Sequence, residues 1–146
     1  MATHTATVRW KRGDKPFELA TYNRDHTWDF GSGETLNASA APTYKGNPDF
    51  VDPEQAFVAS LSSCHMLTFL AMAANKGVIV NSYVDHAEGE LGKNADGRMA
   101  MTKVVLRPEI QYEGDGPDAD TLEKLHERAH KACFIANSVT TEVVVE

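Results

Sequence analysis

The sequence predicts an α+β fold in which antiparallel sheets surround one long buried helix. Three observations support this class: strand-like runs rich in Thr, Val and aromatic residues, a charge-free stretch at 55–75, and an amphipathic pattern near the carboxy terminus. Strands, helix, strands, helix and strand in this order are typical of α+β folds. With 146 residues we expect a single domain spanning 1–146, large enough to bury a hydrophobic core.

Two or three antiparallel strands are predicted at the start of the chain. Residues 3–11 and 17–30 are rich in β-branched and aromatic side chains, and turn-forming residues interrupt them at Gly13-Asp14 and at 23–25. Residues 31–52 are predicted to be irregular. An irregular segment of this length in a small domain is often functional, and this one leads directly into the long helix.

The long helix has clear predicted ends. Asp52 is a suitable N-cap, Pro53 fits the first helical position, and Gln55 completes a capping-box pattern with Asp52. Gly77 is the expected stop. Apolar side chains point in every direction from this helix, so it must be buried all round, and one small chain can hardly cover it alone. We therefore expect a homodimer, in which a second copy of the chain covers part of the helix.

A membrane-spanning helix is the alternative interpretation of residues 55–75, because 21 residues without charge are long enough to cross a bilayer. Polar side chains interrupt the stretch, among them Gln55, His65 and Asn75, and no aromatic belt flanks it. We therefore expect the buried helix of a protein that has no membrane partner.

The second half of the chain is predicted to form a long hairpin, a helix and a final strand. Residues 78–91 and 98–112 make the hairpin, with its turn at 94–97. Asp118 caps a helix that runs from 119 to 133, and Val139, Thr141, Val143 and Val145 occupy every second position of the last segment. The chain is therefore expected to end in a half-buried strand.

The charge balance disfavours some partners. The chain carries 14 basic and 21 acidic residues, a net charge of −7, which disfavours binding to nucleic acid or to an anionic membrane surface. The amino-terminal residues lack the apolar segment of a signal peptide, so we expect a cytoplasmic location. Two cysteines in that compartment are expected to be reduced, or to cycle, rather than to staple the fold.

The two cysteines are the residues best suited to carry chemistry. Cys64 lies midway along the long helix, and Cys133 lies at the end of the second helix, on the edge of its apolar face. They are either inert core residues or a redox-active dithiol. A reactive thiolate needs a cation or hydrogen-bond donors, and Arg24, in a predicted turn, is the best candidate for the cation. A solvated turn residue is the alternative interpretation of Arg24.

Two other groupings are open to a functional interpretation. His126, His130 and Cys133 share one side of a helix and could bind a metal together with Cys64, although three such residues arise easily by chance. A ligand cavity is the second possibility, lined by residues that are more often ordinary core: Trp10, Trp28, Phe50, Phe57 and Met66.

The segment around Cys64 resembles the OsmC/Ohr family of thiol-dependent hydroperoxide reductases. Residues 52–64, DPEQAFVASLSSC, are similar to the family's Asn-Pro-Glu run that ends in small residues and a peroxidatic cysteine, with the same Glu-to-Cys spacing. Residues 129–133, AHKAC, are similar to the segment that carries its second cysteine, and the order of elements also agrees. The resemblance is specific from 52 to 146 and weak before that.

This resemblance implies a homodimeric, cysteine-based peroxidase that reduces organic hydroperoxides and is recycled by a dithiol reductant, without a cofactor or metal. Cys64 would be the peroxidatic thiol and Cys133 the resolving thiol, with a disulfide between them in the oxidised state. Glu54 matches the family's active-site glutamate, and Arg24 is the best match to its arginine, with Arg9, Arg12 or another residue as the alternative. A favourable contact with the helix dipole is the alternative interpretation of Glu54.

Two features leave alternatives open. The family's Cys-Pro pair is replaced by Cys133-Phe134, so a non-catalytic binding or carrier protein on the same fold is the alternative function. Ten residues of unbroken helix would place Glu54 about 15 Å along the axis from Cys64. Either the helix breaks near 60–63, or the irregular loop and a second subunit complete the site.

Overall fold

The structure is a computed structural model that describes residues 1–146, and it divides into two units, Met1–Ala56 and Phe57–Glu146. Eight strands, three α-helices and a short 3₁₀ turn at Pro42–Tyr44 confirm the predicted α+β class. In chain order the strands and helices are β1 (Ala6–Arg9), β2 (His26–Phe30), β3 (Thr35–Ala38), α1 (Pro53–Asn75), β4 (Val80–Asp85), β5 (Glu88–Lys93), β6 (Met99–Leu106), β7 (Pro108–Tyr112), α2 (Ala119–Ala132), α3 (Phe134–Asn137) and β8 (Glu142–Val145). The single domain and the homodimer stay predictions.

The amino-terminal unit contains an antiparallel sheet of order β1-β2-β3. The prediction that 31–52 is irregular is wrong for its first part, because β3 lies there and pairs with β2. The turn between them contains Gly33 at φ +92°, a conformation that glycine adopts without strain. The predicted strand at 17–30 is confirmed only from His26 onward. Before it, Asn23 and Arg24 donate side-chain hydrogen bonds to nearby carbonyls, which compete with strand pairing.

The predicted start of α1 is confirmed in its hydrogen bonds. The Gln55 N–H donates to Asp52 Oδ1 at 2.9 Å, and the Asp52 N–H donates to Gln55 Oε1 at 3.0 Å, which together form a capping box. Pro53 is the first helical residue, and the helix ends at Asn75, shortly before Gly77 at φ +76°. The helix is continuous over this length, so the alternative of a break near 60–63 is wrong.

The capping box makes the first prediction. Asp52→Ala removes the acceptor for the Gln55 N–H and is expected to lower the free energy of unfolding by about 1 kcal/mol, a fall in Tm of about 2–4 °C. Asp52→Asn is the matched control, since asparagine caps helices as well as aspartate. Thermal unfolding followed by circular dichroism measures both variants. Equal Tm values for Asp52→Ala and the wild type would contradict this role of Asp52.

In the carboxy-terminal unit, α1 packs against both a helix and a sheet. Its second half forms one core with α2, consisting of Phe69, Ala73, Leu125 and Ala129. Its first half forms another core with β6, consisting of Leu61, Val104 and Leu106. By length and composition α1 meets the criteria for a membrane-spanning helix, with a mean hydropathy of 1.6, but core helices of soluble proteins meet the same criteria. Its packing on both sides identifies α1 as the central helix of the fold.

The predicted hairpin is confirmed, with a bend halfway along it. β5 pairs with β6 and β4 pairs with β7, both antiparallel, and the turn closes with a 2.8 Å hydrogen bond from the Asn94 N–H to the Arg98 carbonyl. At the bend, the Arg107 N–H donates to the Asp85 carboxylate at 2.6 Å. The final strand β8 is also confirmed, but it pairs with β6 in parallel, so the sheets are not entirely antiparallel.

The second helix begins and ends close to the predicted residues. Asp118 caps α2 by accepting the Thr121 N–H at 2.7 Å, and α2 ends at Ala132. Cys133 is extended, and the chain then enters the four-residue helix α3, which the sequence analysis did not predict. Cys133 therefore lies at a junction between two helices rather than inside one.

Candidate active site

The two cysteines, far apart in the sequence, meet inside the carboxy-terminal unit. Cys64 is partly buried in the middle of α1, and Cys133 is 1% exposed at the junction of α2 and α3. Both are free thiols, and they lie close enough for each to shift the pKa of the other. The packing of Leu125 and Ala129 against α1 holds α2 in place for this contact. The structure thus brings together the two residues that the sequence analysis singled out first.

Hydrogen bonding favours the ionised form of Cys64. Burial raises the pKa of this thiol, but hydrogen bonds outweigh burial and leave the pKa below its ordinary value. The main donors are the Cys133 thiol and the backbone N–H groups of Ile135 and Phe134. These two N–H groups belong to the first turn of α3, where they have no acceptor inside the helix. Since the thiolate is the nucleophile, Cys64 is the more reactive cysteine of the pair.

Cys133 has the opposite electrostatic character. Burial raises the pKa of Cys133, and so does the hydrogen bond to Cys64, which Cys133 donates only while it is protonated. Its sulfur also accepts the Ala136 N–H at 3.4 Å and so caps α3. The pair is therefore asymmetric, since the pKa of Cys64 is lowered and that of Cys133 is raised.

Phe134→Pro tests the contribution of the Phe134 N–H to the Cys64 thiolate. Proline lacks this N–H, yet it suits the first position of α3, and the extended Cys133 suits the residue before proline. We expect the pKa of Cys64 to rise and its alkylation at neutral pH to slow about threefold, the effect of one lost hydrogen bond. Phe134→Ala keeps the N–H and is expected to react like the wild type. The same alkylation rate in both variants would count against this donor.

Arg24 lies in the amino-terminal unit, just before β2. Its guanidinium donates to the Tyr22 carbonyl at 2.7 Å and to the Leu19 carbonyl at 2.6 Å, and it lies 3.7 Å from the centroid of the Tyr22 ring. It therefore organises its own turn. It also lines a cavity of about 580 Å³ in this unit, together with Trp10, Phe17, Tyr22, His26 and Pro53. Of the residues predicted to line a cavity, only Trp10 does so here.

Glu54 lies in the first turn of α1, and its Oε2 atom is buried without a hydrogen-bond partner. No candidate arginine pairs with it, since Arg9 forms its ion pair with Asp29, Arg24 donates to backbone carbonyls and Arg12 forms no ion pair. A buried polar atom without a partner costs free energy, and such atoms are often found at functional sites. The structure therefore does not show the Arg–Glu pair that the family resemblance implies.

A contact between His65 and His126 was missed by the sequence analysis. His65 Nε2 lies 2.9 Å from His126 Nδ1, and the two ring planes differ by only 7°. Burial, with smaller effects of His126 and His130, lowers the pKa of His65 to about 4. The arrangement does not support the metal alternative, because His126 faces His65 and no three potential ligands are grouped. The two histidines are 61 positions apart in the chain, and no local sequence pattern indicates that they meet.

Comparisons with known proteins identify the family. The family model described as OsmC-like protein matches residues 46–146, more than half of the chain. The chain therefore belongs to the OsmC-like protein family, which confirms the resemblance seen in the sequence. Comparison with the curated proteins gives no match.

Solved structures show the same fold over the whole chain. An OsmC-like protein of unknown function from Vibrio cholerae is 51% identical, with a TM-score of 0.96 over 100% of this chain and 99% of that one. The organic hydroperoxide resistance protein OsmC from Legionella pneumophila is 18% identical, with a TM-score of 0.72 over 100% and 95%. The organic hydroperoxide resistance protein OhrB of Bacillus subtilis is 17% identical, with a TM-score of 0.67 over 99% and 97%. These last two are similar to the chain in fold.

Proposed function

We propose that this protein is a cysteine-based peroxidase that reduces organic hydroperoxides to alcohols. Cys64 is the peroxidatic thiol and Cys133 the resolving thiol. The observation that carries the proposal is the proximity of two free cysteines, with Cys133 buried at the junction of α2 and α3. The lowered pKa of Cys64 and the raised pKa of Cys133 support it. Inert core cysteines have no need of such an arrangement. Fold neighbours described as organic hydroperoxide resistance proteins support the same activity.

The first step oxidises Cys64 and reduces the hydroperoxide. The Cys64 thiolate attacks one oxygen of the O–O bond, an S–O bond forms, and the O–O bond breaks. The second oxygen leaves with the organic group, takes up a proton and becomes the alcohol. Cys64 is left as a sulfenic acid.

The second step closes a disulfide. The Cys133 sulfur attacks the sulfur of the Cys64 sulfenic acid, an S–S bond forms, and the S–O bond breaks to release water with the Cys133 proton. The asymmetry of the pair suits this order. The interaction with the Cys64 thiolate raises the pKa of Cys133 and so favours its protonated form. This effect is lost once Cys64 becomes an uncharged sulfenic acid, so Cys133 then ionises more easily. A dithiol reductant then restores both thiols by exchange and is itself oxidised to a disulfide.

The surroundings of the cysteine pair favour an organic substrate over hydrogen peroxide. Phe134, directly after Cys133, is 80% exposed and presents its ring to solvent. Contact with this apolar ring would stabilise the binding of a hydroperoxide that carries an alkyl or aryl group, and it would contribute little to the binding of hydrogen peroxide.

Further assignments follow from membership of the family. Because α1 is continuous and Glu54 lies about 15 Å along its axis from Cys64 of the same chain, Glu54 and Arg24 are assigned to activating the Cys64 thiolate of a second copy of the chain. The buried, unpartnered Oε2 atom of Glu54 supports a role for the glutamate. We place the protein in the cytoplasm, acting as a single domain without cofactor or metal.

A homodimer is part of this proposal. α1 keeps one exposed side along its length, with members four positions apart at Ala59, Ser63, Leu67 and Ala71. Leu67 is 61% exposed, which is unusual for a leucine on the central helix of a fold. A second copy of the chain that covered this side would bury the apolar helix on all sides.

Leu67→Glu tests the homodimer. We expect the wild-type protein to elute with the mass of a dimer, and the variant to elute as a monomer, because a carboxylate cannot be buried without a partner. Light scattering after size-exclusion chromatography gives both masses. Leu67→Met, which keeps an apolar side chain, is the control and should remain dimeric. A dimeric Leu67→Glu would show that this side of α1 is not the interface.

The proposed activity is tested by turnover with a dithiol. Reduced protein in excess dithiothreitol should consume cumene hydroperoxide and release one equivalent of cumyl alcohol for each hydroperoxide lost. A carrier protein, the alternative function, would bind the compound without consuming it. If the protein binds the hydroperoxide but forms no alcohol, the result would contradict the peroxidase function and favour the carrier function.

A further inference from the structure

His65 and His126 form the only imidazole–imidazole hydrogen bond in the structure, and it connects the two helices that carry the cysteines. His65 directly follows Cys64 on α1, and His126 lies on α2, seven positions before Cys133 and so about two helical turns away. The contact joins Nε2 of His65 to Nδ1 of His126 at 2.9 Å. It is the one polar side-chain contact observed between α1 and α2.

The apolar contacts bring α2 against α1, and the hydrogen bond adds a directional contact to them. α2 packs on α1 through Leu125 and Ala129, whose contacts are non-directional and tolerate small shifts. The hydrogen bond between two planar rings fixes both a distance and an orientation. Phe69 of α1 stacks on the His126 ring, with the ring centroids 4.6 Å apart, and holds that ring in place.

We propose that the His65–His126 hydrogen bond is a positioning contact that keeps Cys133 aligned with Cys64 for disulfide closure. The inference rests on the proposed peroxidase function and deepens it. Neither imidazole is assigned a role in the first step, where the thiolate meets the hydroperoxide. Disulfide closure requires the two sulfur atoms to approach within bonding distance, so it depends on how α2 sits against α1. Burial lowers the pKa of both histidines, which keeps both rings neutral at pH 7.

Two substitutions of His126 separate the hydrogen bond from the packing of the ring. His126→Phe keeps an aromatic ring against Phe69 and loses the nitrogen that faces His65. His126→Asn places an amide close to the position of Nδ1 and restores a hydrogen-bonding group. His130→Phe, one turn further along and exposed, removes an imidazole that has no such bond and serves as the matched control.

The experiment measures the two steps separately after mixing reduced protein with cumene hydroperoxide. Loss of hydroperoxide reports the first step, and rapid acid quench with intact-mass analysis reports the sulfenic acid and the disulfide. We expect His126→Phe to close the disulfide about tenfold more slowly, the upper effect of one hydrogen bond, with the first step unchanged. His126→Asn and His130→Phe should close it at close to the wild-type rate. Trapping with dimedone should capture more sulfenic acid in His126→Phe alone.

Three outcomes would overturn the inference. Closure at the wild-type rate in His126→Phe would show that the hydrogen bond is not needed. Equal slowing in His126→Phe and His126→Asn would show that a restored hydrogen-bonding group does not restore closure, so the hydrogen bond would not be the cause. Equal slowing of both steps would indicate a general structural defect. If His126→Phe does not fold, His126→Leu makes the same test. A wild-type protein that forms no disulfide at all would instead contradict the proposed function, so the two failures are distinguishable.

Discussion

Cys64→Ser will abolish hydroperoxide reduction, with a fall in turnover on the order of a thousandfold or more. The hydroxyl of serine stays protonated at neutral pH, so the hydrogen bonds that favour a thiolate at position 64 have no anion to stabilise. Turnover is measured as alcohol formed per minute with cumene hydroperoxide and excess dithiothreitol. The substitution is small, so the circular dichroism spectrum and Tm should stay close to those of the wild type.

Cys133→Ser is expected to behave differently from Cys64→Ser. It keeps the nucleophile and loses the resolving thiol, so the first equivalent of hydroperoxide should still be consumed. Without a partner, the Cys64 sulfenic acid should persist and, in excess hydroperoxide, become sulfinic acid. Equal, complete loss of the first turnover in both variants would contradict separate roles for the two cysteines. Full turnover in Cys64→Ser would exclude Cys64 as the peroxidatic residue.

Acid conditions will destabilise the fold through His65. The ordinary pKa of histidine is 6.5 and burial lowers that of His65 to about 4, so the unfolded chain binds the proton more tightly than the folded one. The contribution of His65 to the free energy of unfolding is therefore largest above pH 6.5 and decreases as the pH drops from 6.5 to about 4. Below that pH, protonation of His65 causes no further decrease. A shift of this size corresponds to about 3 kcal/mol, a large share of the stability of a typical domain.

Urea unfolding at a series of pH values between 4 and 7 measures this loss. His65→Gln replaces the ring by a group that does not titrate, and it should reduce the slope of stability against pH in this window. His4→Gln changes an exposed histidine near the amino terminus and should leave the slope unchanged. The pKa of His126 is also lowered by burial, so part of the slope should remain in His65→Gln. An unchanged slope in His65→Gln would show that His65 is not the group responsible.

Features with a local cause were predictable from the sequence. The capping box at Asp52, the helix stop near Gly77 and the turn at 94–97 each depend on residues close together in the chain. The long helix and the second helix were therefore placed to within a residue or two. The family resemblance came from the same kind of local signal, the run of residues that ends at Cys64.

Features that depend on distant residues were not predictable in the same way. β3 has a weak strand pattern of four residues and forms because β2 lies beside it. The His65–His126 hydrogen bond exists because α2 packs on α1, and neither histidine shows in the sequence which ring it will meet. The donors to the Cys64 thiol were missed for the same reason, since two of them are backbone groups of α3. Arg24 was correctly placed outside the strands, but its bonds to two carbonyls were not foreseen.

The central claim, a peroxidatic Cys64 resolved by Cys133, is tested most directly by intact-mass analysis. Fully reduced protein is mixed with one equivalent of cumene hydroperoxide, quenched in acid and weighed, and the disulfide is located by peptide mapping. We expect loss of two hydrogens per chain and a Cys64–Cys133 disulfide within that chain. An unchanged mass with two free thiols, after exposure to the hydroperoxide, would contradict it.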